Sequence, residues 1–184
     1  MRRVTPPRRW ALRLVAVALA AGGCGYTTRP SLAPHLRTIY VKPFVNRIEF
    51  TTLPTRESRF PIYRHQMEID LTDEVIRRYQ FTGLLRPAPP ERADTRLEGE
   101  LLSFTRDPLR YDASQNVEEW RLNVTVSLQF YDQTTQTLLW EEKRFIGDTT
   151  YFATGANAES EASALQRAIR DLARRIVERT VEDW

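Results

Sequence analysis

Trp120, Leu122, Val124, Val126, Leu128 and Phe130 are interleaved one for one with Arg121, Asn123, Thr125, Ser127, Gln129 and Tyr131. A period of two assigns the sets to opposite faces of a β-strand, the apolar one turned toward a core and its helices. Thr95-Arg96-Leu97-Glu98-Gly99-Glu100-Leu101 alternates in the same way, with Leu97, Gly99 and Leu101 on one side. A turn at 132–136 precedes 137–146, which carries Leu138 and Trp140 and returns antiparallel as the second arm of a hairpin. Thr38-Ile39-Tyr40-Val41-Lys42-Pro43-Phe44-Val45-Asn46 reads as a first strand, at an edge or ending near Pro43, which has no N–H to donate.

Two stretches change to helical spacing. Met67, Leu71, Val75, Ile76 and Tyr79 form a stripe within 62–79, and Leu165, Ile169, Leu172, Ile176 and Val181 form another within 158–184. Arg77 and Arg78 fall in the last turn of the first helix, where positive charge suits the dipole, and Gly83 marks its end. Asp171 and Arg175 can pair one turn apart on the second. Leu84-Leu85-Arg86 can form a short strand, 47–61 reads as a loop, and 151–157 as a connector. The order is strand, helix, three-stranded meander, helix. It predicts an α+β fold: a small antiparallel or mixed sheet with two helices packed on one face.

With 184 residues, 41% hydrophobic and 28% charged, the chain has the composition of one ordinary folded domain. Its net charge of +3 is unevenly placed, because Arg2, Arg3, Arg8, Arg9 and Arg13 precede Cys24 and no acid does. Without those five arginines, 22 basic residues face 24 acidic ones, so a nucleic-acid partner loses its support. The arginines lead into Leu14-Val15-Ala16-Val17-Ala18-Leu19-Ala20-Ala21, shorter than the about 20 apolar residues a spanning helix needs. Residues 1–23 therefore read as a cleaved signal peptide. Ala21-Gly22-Gly23-Cys24 resembles the bacterial lipobox, with Ala where Leu is usual, and makes Cys24 the expected site of lipid attachment. Each buried lipid methylene contributes about 0.8 kcal/mol, so an acylated cysteine holds a domain on a bilayer without a transmembrane helix. Gly25 rather than Asp follows, which under the usual sorting system implies the outer membrane. Residues 24–36, with Pro30 and Pro34, read as a tether, and 37–184 as the domain.

Catalytic and metal chemistry has no basis in the pattern. The two histidines, His35 and His65, are far apart and have no neighbouring ligands at metal spacing. Glu98 and Glu100 read as a solvated strand face, and no glycine-rich phosphate loop follows a strand. The chain reads as a non-enzyme without a cofactor. One segment offers binding chemistry: residues 104–116, taken as the connection between the second strand and the hairpin. It presents Arg106 and Arg110 beside Phe104, Leu109 and Tyr111, guanidinium forks next to apolar surface. Asp107 and Asp112 lie close enough to neutralise both arginines. Exposed pairs of that kind contribute about 0–1 kcal/mol, so replacing both should leave folding nearly intact.

Cys24-Gly25-Tyr26, Thr38-Ile39-Tyr40-Val41-Lys42-Pro43-Phe44-Val45-Asn46, Ala93-Asp94-Thr95-Arg96-Leu97-Glu98-Gly99 and Leu138-Leu139-Trp140-Glu141 before an alanine-rich helix together resemble the LptE family. These are the lipoproteins of lipopolysaccharide transport in Gram-negative outer membranes. The resemblance implies a small α+β domain that plugs the lumen of an LptD-like β-barrel, aids its assembly and contacts lipopolysaccharide, anchored at the periplasmic side of the outer membrane. Arg106 and Arg110 are candidates for that contact on their chemistry alone, since no family contact residue matches a position here. The alternative is an outer-membrane lipoprotein that binds another envelope assembly, such as a peptidoglycan synthase.

Overall fold

A computed structural model describes residues 33–48, 60–61 and 66–180. The expected signal peptide, Cys24, most of the tether, His65 and Val181 lie outside the described residues. The elements are β1 (Thr38–Val41), β2 (Val45–Asn46), β3 (Phe60–Pro61), α1 (Met67–Thr82), β4 (Arg86–Pro87), a 3-10 turn (Pro90–Arg92), β5 (Thr95–Tyr111), β6 (Val117–Asp132), β7 (Thr137–Phe152) and α2 (Glu161–Arg179). The fold is α+β, one mixed sheet in the order β4-β1-β5-β6-β7 with both helices on one face. β1 is parallel to β4 and β5, and β5, β6 and β7 form an antiparallel meander. The first strand lies inside the sheet and ends before Pro43.

The apolar alternation holds in β6. Leu122, Val124, Val126, Leu128 and Phe130 are fully buried, and Trp120 packs partly buried at the core's margin. Leu165, Ile169, Leu172 and Ile176 of α2 close over the sheet with Ala164, Ala168 and Ala173 between them. Ser160 caps α2, its hydroxyl accepting the Ser163 N–H. On the other helix Met67, Leu71, Val75 and Tyr79 are buried. The Tyr79 hydroxyl donates to Thr180 Oγ1 at 3.2 Å, joining the helices, and burial pushes this phenol well above its ordinary range. α1 ends at Gly83, whose φ of 66° suits a left-handed cap. The helix runs on to Thr82, so Arg77 and Arg78 do not lie in its last turn.

The meander is longer than its alternation suggests. β5 continues for 17 residues, through 104–111, which the sequence had placed in a connecting loop. Register shifts between Leu101 and Ser103 and again after Pro108 explain the difference. An extra residue in one strand breaks the period of two without ending the ladder. Phe104 is consequently buried, and the true hairpin loop is short. Asp112 closes it by accepting the Ser114 and Asn116 N–H groups, each at 2.8 Å. The other edge of β5 is covered in turn by β1, β2 and β3, so residues 60–61 of the expected loop form a strand. In β7 a shift opposite Phe130 and Tyr131 separates Leu138 from Trp140. Trp140 stacks on Phe130, whereas Leu138 is left 44% exposed.

β7 is the terminal strand of the meander. Asp171 pairs with Arg174 at 2.6 Å, leaving Arg175 for another partner. Arg175 donates to the Ile146 carbonyl at 2.8 Å, and Arg167 to the Thr150 carbonyl at 2.9 Å. These guanidinium groups occupy edge carbonyls that would otherwise template a foreign strand.

At the opposite end of the sheet order, Leu36 is buried although the sequence put it in the tether. The Asp94 carboxylate accepts the Arg37 N–H, the Thr38 N–H and the Thr38 hydroxyl at 2.9, 2.9 and 2.8 Å. These bonds, that from Arg37 foremost, hold its carboxyl below the usual range. A depressed pKa gives stability that is present above the unfolded value of about 4 and lost as pH falls through the folded value. Asp94→Asn is expected to lose about 1.5–3 kcal/mol at neutral pH, the range for hydrogen bonds to a charged group. Acid unfolding of the variant should also depend less on pH between about 5 and 2. A variant with the wild-type acid limb would place that titration elsewhere.

Candidate functional site

The structure separates the two candidate arginines. Arg106 follows Phe104 onto the helix-covered face, where Nη1 lies 2.6 Å from Glu161 Oε2 and the guanidinium sits 4.3 Å over the Trp120 ring. The Tyr151 hydroxyl also donates to Glu161, at 3.3 Å. This arginine ties β5 to the start of α2. Arg110, beyond the second register shift, has Nη2 3.6 Å from Glu119 and lies over the Phe152 ring at 5.6 Å. Glu119 and Phe152 alternate with the inward Trp120 and Tyr151, so Arg110 belongs to the outer face, with its side chain 59% exposed. The neutralising acids are Glu161 and Glu119, not Asp107 and Asp112. Asp107 instead accepts the Asn123 side-chain amide at 2.7 Å.

Removing both arginines is therefore not equally harmless. Arg106→Ala strips partners from a half-buried glutamate and a tryptophan, and is expected to cost about 1–3 kcal/mol. Arg110→Ala should cost about 0–1 kcal/mol. Thermal unfolding of the two single variants checks the contrast, and equal melting temperatures would refute it.

Most charges of the outer face are matched internally. Lys42 and Arg96 reach Glu98 at 2.9 and 2.8 Å, and Arg47 reaches Glu100 at 3.4 Å. Gln129 donates to Glu141 at 2.9 Å and accepts from the Tyr131 hydroxyl at 3.0 Å. Glu98 and Glu100 are ion-paired, on the rim of a shallow depression of about 330 Å³. A second depression, of about 180 Å³, lies farther along the same face between Arg121 and Arg144. Thr125, expected to face outward, is 6% exposed beside these arginines. The alternation placed Arg121 on the outer face, but Arg144 lies past a register shift between Val126 and Leu128 and gave no such signal.

His35 Nε2 lies 3.3 Å from Asp132 Oδ2, and the Asp132 carboxylate also accepts the Thr134 and Thr135 N–H groups that shape the β6–β7 turn. That histidine has a structural partner. Among the described residues no group of three His, Cys, Asp or Glu side chains could hold a metal ion. No described helix is long and apolar enough to cross a membrane.

A solved protein of Xanthomonas campestris is similar over 80% of this chain and 88% of its own, at 16% identity and a TM-score of 0.55. A hypothetical protein of Chlamydia trachomatis is similar over 78% of this chain and 95% of its own, at 14% identity and a TM-score of 0.51. At these identities the likeness concerns the fold alone. Direct comparison with curated proteins gives no match. The lipopolysaccharide-assembly family model, LptE, matches residues 36–180, from the buried Leu36 to the Thr180 that bonds Tyr79. The chain thus belongs to the LptE family, non-catalytic outer-membrane lipoproteins that partner the LptD β-barrel and bind lipopolysaccharide in its assembly.

Proposed function

We propose that this domain works from within the lumen of its LptD partner, tethered at the periplasmic side of the outer membrane by a lipid on Cys24. Its outer sheet face meets the wet interior of the barrel and offers Arg110 to lipopolysaccharide, while Arg106 on the helix-covered face is held by Glu161. The observation that carries this reading is the outer face itself. Its hydrogen-bonding side chains, with charges largely matched by neighbours, suit a polar wall rather than an acyl-chain environment. Strands of 16 and 17 residues support it further. At about 3.3 Å per residue they extend roughly 50 Å, comparable with the about 40–45 Å of a whole bilayer.

A photoreactive residue at Asn123, Ser127 or Gln129 is expected to crosslink to the barrel in intact cells. Absence of barrel adducts from all three positions would reject the lumen seat. Mass spectrometry of the mature protein tests the anchor separately: an acylated N-terminal Cys24 is expected, and an unmodified thiol or a later start rules it out.

A further inference from the structure

On the β1 side of the outer face every cation named above has a carboxylate partner. Arg121 of β6 and Arg144 of β7 do not: neither forms an ion pair among the described residues. Both line the depression of about 180 Å³, together with the Ser103 and Thr105 hydroxyls, the Asn123 amide and the recessed Thr125. One carboxylate, Asp107, also lines it, opposite Arg121 in the β5–β6 ladder, and accepts the Asn123 amide at 2.7 Å among its contacts. Arg121 stands one same-face step, about 7 Å, along β6 from Glu119, the residue Arg110 faces. The unmatched charge is thus continuous with the exposed Arg110.

We propose that this depression binds a phosphate ester of lipopolysaccharide, as a second contact one step along the sheet from Arg110. Two permanently charged planar forks with hydroxyls between them fit a tetrahedral oxyanion, whose several oxygens can each take a donor. Asp107 offsets one of the two guanidinium charges, so the preference is geometric: a phosphate ester presents more oxygens than a carboxylate to two forks and the neighbouring hydroxyls. The inference rests on the reading that this face meets lipopolysaccharide.

The test uses the full-length lipoprotein in detergent, alone and with its barrel, and two probes: lipid A carrying both phosphates and the same lipid dephosphorylated. The wild type is expected to hold the phosphorylated lipid at least tenfold more tightly. R121Q/R144Q should lose that preference, with its melting temperature unchanged. R86Q/R170Q removes two other exposed arginines without ion-pair partners, and should keep the preference. Titration with inorganic phosphate should shift the Nε signals of Arg121 and Arg144. Equal loss in R86Q/R170Q would reduce the effect to net charge and overturn the proposal. So would a preference that survives in R121Q/R144Q; if that variant loses barrel crosslinks instead, the arginines hold an acidic wall residue. Absent barrel adducts alongside an intact phosphate preference would sink the lumen seat and leave this site standing.

Discussion

Replacing Val126 with Asp is expected to unfold the domain. Val126 is fully buried in the central strand of the meander, paired with Leu101 on one side and Phe145 on the other. The cation near it on that face, Arg175, lies over the ring of the adjacent Phe145 at 5.2 Å and is committed to the Ile146 carbonyl. A carboxylate there must be protonated to stay inside, which at pH 7 costs about 4 kcal/mol for a group with an ordinary pKa near 3.9. Loss of the valine's burial adds about 1.5–3 kcal/mol. The sum is comparable with the whole stability of a typical domain, about 5–15 kcal/mol. Thr125→Asp is the adjoining control. Thr125 is also buried, yet Arg121 and Arg144 line its surroundings, so the new charge is met rather than isolated, and a cost of about 0–2 kcal/mol is expected. Circular dichroism and chemical denaturation of both variants decide the matter. If Val126→Asp folds as well as Thr125→Asp, the facial assignment of β6 is wrong.

Adding a single methyl group at Gly99 should be damaging as well. A Cβ there would lie 2.2 Å from Phe44 Cε1 and 2.5 Å from Cδ1, well inside contact distance. Phe44 has little room to retreat. Its ring is buried, and its N–H donates to Thr72 Oγ1 at 3.0 Å, a hydroxyl that is itself bonded to the Glu68 carbonyl in α1. Gly99→Ala is expected to cost about 1–3 kcal/mol, the range for an overpacked core. A domain of this size should then melt roughly 2–8 °C lower per kcal/mol. Gly99→Ala combined with Phe44→Leu should recover part of the loss, because a smaller side chain leaves room for the new methyl. Wild-type melting of Gly99→Ala alone would show that the ring yields freely.

The two glycine neighbours illustrate what a pattern can carry. Alternation put Gly99 on the inner side with Leu97 and Leu101, since facing follows from parity within one strand. That Phe44 lies on Gly99 follows only from the parallel placement of β2 beside β5, a pairing between residues more than fifty positions apart. Asp94 is a similar case. Its segment contributed to the family resemblance, but its work on the Arg37 and Thr38 backbone is visible only once β1 lies beside β5.

The sequence by itself determined the two helical stripes, the inward set of β6, the meander and the α+β class, because burial of a periodic apolar set leaves one economical arrangement for each element. It also determined the family, whose matched residues 36–180 run through every one of those elements. Only the tertiary structure decided where the periods break. The extra residues near Leu101 and Pro108 lengthen β5 and send Arg106 and Arg110, four positions apart, to opposite faces. A shift in β7 puts Arg144 on the rim of the depression that Arg121 also lines. Such bulges reverse a strand's parity with one residue and are settled by contacts with distant partners. Local spacing therefore placed Arg121 on this surface, and long-range register decided where Arg106, Arg110 and Arg144 stand.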